Sequence, residues 1–95
     1  MKMKYGIWVK VEGFAIYKDG SRKKVNGMEA WYADKKYDTL KAAKESLTMA
    51  KDILKEDCFD VSIINSVTIV GVHMSTPCTF GKHEERVTYH IEQRR

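Results

Sequence analysis

The sequence predicts an α+β fold: a mainly antiparallel sheet of about five strands with one helix packed on one face. Three observations carry this expectation. Apolar and polar side chains alternate before residue 33. From Thr39 onward apolar residues recur every three or four positions, and after residue 60 β-branched runs return. Strands, one helix, then strands again make two layers around one core. With 95 residues, 43% of them hydrophobic and 32% charged, a single globular α+β domain spanning 1–95 is expected. A chain of this size buries roughly two-thirds of its unfolded surface, enough for one core without staples.

The first strand is "KYGIWVKVE". Tyr5, Ile7, Val9 and Val11 share one face, while Gly6, Trp8, Lys10 and Glu12 share the other. Gly13 marks a bend or bulge. In the stretch that follows, Asp19-Gly20 and Asn26-Gly27 are both two-residue hairpin signals. Two such turns give a three-stranded meander over 14–18, 21–25 and 28–33, with the short polar "SRKKV" open to being a loop instead. Asp38 or Thr39 then caps a helix. It runs from Thr39 to Glu56 with Leu40, Ala43, Leu47, Ala50 and Leu54 as its apolar stripe.

Beside that stripe lie Lys41, Lys44, Lys51 and Lys55, and beside the lysines lie Glu45, Asp52 and Glu56. The acids argue against a helix seated in a DNA groove, where phosphates flank both sides. They favour a solvated face with local pairs such as Lys41–Glu45 and Asp52–Lys55, each worth roughly a few tenths of a kcal/mol. "DVSII" and "VTIVGV" read as strands, with Asn65-Ser66 as a turn or bulge between them. "MSTPCTFGKHEE" reads as a loop around Pro77, and "RVTYHIE" as a last strand with Val87, Tyr89 and Ile91 on one face. "QRR" is expected to fray.

Charge is uneven along the chain. Residues 1–24 hold seven Lys or Arg against two acids, whereas 25–60 carry a net −2 and 61–95 a net +1. The basic excess of the first segment permits an anionic partner without requiring one. The opening "MKMKYGIWVKVEG" lacks the apolar run of a signal peptide, and no stretch approaches a membrane span. The expected location is the cytoplasm, the host cytoplasm if the protein is phage-encoded, where Cys58 and Cys78 are free thiols.

If both turns form, Tyr17, Arg22 and Trp31 sit side by side on one face of the sheet, with Lys24 and Glu29 beside them. The other face then holds Phe14, Ile16, Val25, Met28, Ala30 and Tyr32 as core. Trp8 likewise lies opposite the apolar face of its strand. The candidate binding residues are therefore Trp8, Tyr17, Arg22, Lys23, Lys24 and Trp31. Such a row stacks on bases, anchors a protein partner, or simply stabilises the fold by about 1 kcal/mol through cation–π contact.

Catalytic motifs are missing. There is no glycine-rich phosphate loop, nucleophile elbow or zinc-protease helix. His73, Cys78 and His83, with Cys58 as a fourth group, lack the tight paired spacing of structural zinc sites. Cys78 with His83 or His90 makes a nucleophile–base pair without a third orienting group or an oxyanion hole. Glu84 and Glu85 read as solvated loop charges. The expectation is no enzyme, no cofactor and no metal.

"GIWVKV", then "KDGSRKK", then "WYADKKYDTLKAAKESL" resembles the arm-type DNA-binding domain of tyrosine integrases. Trp8, Asp19, Gly20, Arg22, Lys23, Tyr37, Thr39 and Ala43 match that family's pattern. The resemblance covers about half the chain. It implies three strands and a helix, a sheet inserted in the major groove, and Arg22, Lys23 and Lys24 near DNA. Composition also suits small accessory proteins of phages and mobile elements, including those that block host defences. The expected function is a non-enzymatic binding protein that captures a host protein or anionic ligand. The alternative is nucleic-acid binding through the basic and aromatic sheet face. The uncharged "VSIINSVTIVGV" adds a further expectation, a homodimer or higher oligomer burying part of 61–72.

Overall fold

The computed structural model describes residues 3–76 and 81–94. Five antiparallel strands form one sheet: β1 Lys4–Tyr17, β2 Arg22–Trp31, β3 Asp60–Asn65, β4 Thr68–Ser75 and β5 Gly81–Arg94. Their spatial order is β2-β1-β5-β4-β3, so the last strand in sequence fills the centre and β2 and β3 are the edges. One helix, α1 (Leu40–Glu56), covers one face of this sheet, as an α+β fold requires. Thr39 caps it by accepting a hydrogen bond from the Ala42 amide. Ala43, Leu47, Ala50 and Leu54 are its buried residues, the stripe read from the spacing.

The core lies between that stripe and one half of the sheet. Ile7, Val87, Ile91 and Ile69 are buried there with Tyr37, and Tyr5, Val9, Val11, Val61 and Tyr89 pack against them. Val11 and Val87 face each other across β1 and β5 and are the last residues of those strands in the cluster under α1, Ala15 being buried separately further along β1. Beyond them both strands run on to Tyr17 and Gly81 without the helix above.

Several expectations from sequence are corrected. The meander does not form. The first turn is present, but Gly20 alone takes positive φ, 88°, and the Gly20 amide bonds to the Tyr17 carbonyl. That is a three-residue loop rather than a two-residue type I′ turn. At Asn26-Gly27 there is no turn, and neither residue takes the positive φ that one demands. They pair with Gly13 and Glu12, because β1 is long enough to partner all of β2. The punctuation becomes a register shift between Gly13 and Phe14 instead. Phe14, Ile16, Val25, Met28 and Ala30 consequently lie outside the core cluster, with Val25 and Met28 exposed, while Tyr32 packs against it.

Of the expected loop over 74–85, Met74, Ser75 and 81–85 are strand, while Pro77 and its neighbours up to residue 80 lie outside the described residues. His83, Glu84 and Glu85 pair with Ala15, Phe14 and Gly13, and Glu84 is buried. Gln93 and Arg94 are likewise paired rather than frayed. Among the described residues, neither Lys41–Glu45 nor Asp52–Lys55 closes to an ion pair.

Candidate functional site

Pairing splits the six sequence-derived binding residues into two groups. Trp8 is the cross-strand partner of Trp31, and Arg22 is the partner of Ile16. From Trp8 to Ile16 along β1 is about 26 Å. Tyr17, Arg22 and Trp31 are therefore not neighbours: the three-residue loop shifts Arg22 opposite Ile16 rather than Tyr17, and the absent second turn leaves Trp31 at the far end.

At one end, Trp8 and Trp31 meet edge to face, ring centroids 5.1 Å apart. Trp31 lies flat over Gly6, where a Cβ would sit 2.8 Å from its Cε3 and Cζ3. The Arg94 guanidinium covers Trp31 at 4.7 Å, and its side chain is only 14% exposed. A 3-10 turn, Tyr32–Asp34, swings Asp34 round to the same guanidinium at 2.5 Å. The arginine holds the Asp34 carboxyl below its usual pKa, first through the hydrogen bond and then through charge. This end is thus closed by the chain's own groups.

At the other end the basic residues are largely satisfied. Arg22 stacks 3.8 Å over Phe14 and donates to Glu84 at 2.5 Å. Glu84, 8% exposed, also lies 3.4 Å from Arg86. Lys24 is 3.5 Å from Glu12. Lys23 pairs with Ala15, so the register turns it to the face opposite Arg22 and Lys24. Tyr17 is exposed at the hairpin mouth. There Asp19 accepts from the Ser21 hydroxyl at 2.6 Å and from its amide at 2.9 Å, and both bonds lower its pKa.

The histidines and Cys58 find places in the fold. His73 tilts against Phe59, centroids 5.4 Å apart, and His90 Nδ1 is 2.5 Å from the Thr68 hydroxyl. Cys58 is free and exposed. Cys78 lies outside the described residues, and with it the zinc reading of His73, Cys78 and His83 and the thiol pairing with His83 or His90. Among the described residues no group of three or more His, Cys, Asp or Glu is arranged to hold a metal. No helix among them is long and apolar enough to cross a membrane.

The β3 edge is different. Among the described residues β3 pairs only with β4, so one side of its backbone has no described strand beside it. Ile63 is 66% exposed and Ile64 59%. Between Val61 and Asn65 there is no charged residue. The other edge, β2, carries Arg22, Lys23, Lys24 and Glu29, the charges that guard an open edge. Beside β3, a shallow groove runs between the strand and α1, lined by Lys44, Thr48, Lys51, Ile63, Asn65 and Ser66. Lys44 and Lys51 are half-buried along it, with no carboxylate within ion-pair distance among the described residues.

No family model, curated protein or solved structure matches this chain.

The open edge lies in the segment that the uncharged run at 61–72 marks. What the sequence hides is the neighbour. Lys44 and Lys51 read as part of a solvated lysine face, and only the placement of α1 beside β3 sets them at a groove.

Proposed function

We propose that this chain is a non-enzymatic binding protein that captures another protein by taking a strand from it onto the β3 edge. The observation that carries the reading is the unguarded edge itself, with Ile63 and Ile64 exposed beside unpaired backbone. An extended segment laid there gains main-chain hydrogen bonds from β3 and apolar contact from the two isoleucines. Size and composition suit a phage-type accessory protein, including an inhibitor of host defence, so a host protein is the target class. The nucleic-acid reading draws less support. Its arginine and one of its lysines already face Glu84 and Glu12, and their backbone positions lie about 26 Å and about 20 Å along the strand from the tryptophans.

The test is recovery of a stoichiometric partner from host lysate with the intact chain and with Ile63→Lys, a change at an exposed position whose retained fold is checked by circular dichroism. Loss of the partner with Ile63→Lys supports edge capture. Equal recovery by both proteins refutes it. A gel shift of micromolar affinity that Arg22→Ala weakens and salt abolishes would replace it with nucleic-acid binding.

A further inference from the structure

We infer that the segment captured at β3 is acidic: an extended strand whose carboxylates reach Lys44 and Lys51 across the groove while an apolar residue between them meets Ile63. The inference rests on the proposed edge capture and names its partner chemistry.

Three placements support it. A strand added to β3 lies about 4.8 Å away and turns every second side chain toward the helix side. Ile63 belongs to that side, since it pairs with Ile69, which is buried under α1. Lys44 and Lys51 are two helical turns apart, a rise of about 10.5 Å, and both line the groove beside Ile63. Alternate residues of an extended strand are about 6.8 Å apart. Acids at the first and fifth positions with a β-branched residue at the third therefore span both lysines, whose flexible stems absorb the difference. Asn65 and Ser66 at the end of the groove add polar groups and no negative charge. The helix acids Glu45, Asp52 and Glu56 stand further round α1, past the lysine stripe.

The same charges decide against a second copy as the occupant. Antiparallel pairing of two β3 edges about a two-fold puts both helices on one side of the joint sheet. Lys44 and Lys51 of each copy would then face those of the other, with no carboxylate between them. An acidic strand removes that repulsion.

A display library of linear ten-residue peptides, selected on the intact chain, tests the inference. The expected outcome is enrichment of peptides with two Asp or Glu flanking a β-branched residue at alternate positions. A peptide so selected should bind Lys44→Glu/Lys51→Glu at least tenfold more weakly, and should weaken several-fold between low and high salt. Lys44→Gln/Lys51→Gln, which removes the charge without reversing it, should give an intermediate loss. Amide exchange should slow across 61–65 when the peptide binds. Neutral peptides that protect 61–65 equally in all three proteins would overturn the acidic partner while leaving edge capture standing. A chain that dimerises on concentration and is returned to monomer by Ile63→Lys would overturn both.

Discussion

At Cys58 the backbone takes φ +66°, a conformation in which a side chain is strained and glycine is not. The reason lies in the end of the helix. The Phe59 amide bonds to the Leu54 carbonyl and the Cys58 amide to the Lys55 carbonyl, the paired bonds of a Schellman cap. Leu54 and Phe59 then close over Gly71, where a Cβ would come 3.0 Å from Leu54 and 3.3 Å from Phe59. Cys58→Gly should therefore stabilise the protein by about 0.5–1 kcal/mol, relief of strain less the entropy gained by the unfolded chain. A thermal melt should show a rise of about 2–8 °C. Asp34 supplies a second residue-scale prediction. Its folded pKa is depressed by Arg94, so its contribution is present above the unfolded value of about 3.9 and is lost as pH falls through the folded one. Urea midpoints of the parent protein and Asp34→Asn should differ at pH 7 and converge in strong acid. A difference that persists undiminished into strong acid would break the assignment to this carboxylate.

Among the elements, β2 shows how a partner strand overrides a local signal. Asn26-Gly27 turns a chain when nothing else competes, but here β1 offers an unbroken line of backbone from Trp8 to Ile16. Ladder hydrogen bonds along that line outweigh the preference of two residues for a turn. Gly27 then needs no glycine. A Cβ there would come 3.0 Å from Cε of Lys24, the far end of a flexible side chain, and make an ordinary 3.5 Å contact with the Val11 carbonyl oxygen. Gly27→Thr should be neutral or stabilising by about 0.5 kcal/mol, since β-branched residues suit a strand. A loss of more than 1 kcal/mol in chemical denaturation would instead speak for a turn at this position. The far end of β2 is held through Arg22, whose partner Glu84 is buried on β5. Glu84→Ala leaves Arg22 and Arg86 facing each other and should cost about 1–2 kcal/mol. The cost should shrink at high salt, which screens that repulsion.

The whole molecule is long and thin for its size. Its largest extent is 53 Å and its radius of gyration 15.4 Å, against about 12.4 Å for a compact chain of this length. The cause is a mismatch of element lengths. A helix of 17 residues spans about 25 Å, whereas the 14-residue strands β1 and β5 span about 46 Å. The helix thus roofs one half of the sheet, and the other half stands as a single layer beyond Val11 and Val87. Amides of the covered half, Tyr5 to Val11 and Val87 to Ile91, should exchange with the global unfolding energy. Those of 12–17 and 82–86 should exchange faster, through opening of the uncovered end alone. Uniform protection along β1 would show that the two halves unfold as one unit.

The sequence by itself determined the α+β class, the helix with its Thr39 cap and buried stripe, and the inward face of the first strand. Each of these is local. Period 2 or 3.6 and a capping hydroxyl are written within a few residues of where they act. Only the tertiary structure decided that β5 fills the centre of the sheet, that Asn26-Gly27 stays extended, and that Trp31 pairs with Trp8 rather than with Arg22. Those depend on which strands lie side by side, and pairing between residues dozens of positions apart leaves no periodic trace in either one. The groove follows the same division. The uncharged run at 61–72 was legible as a poorly protected strand segment, whereas only the pairing shows that its β3 part is the edge and its β4 part is interior. That Lys44 and Lys51 stand over that edge was not legible, because which flank of a helix meets which strand is set by packing on the sheet.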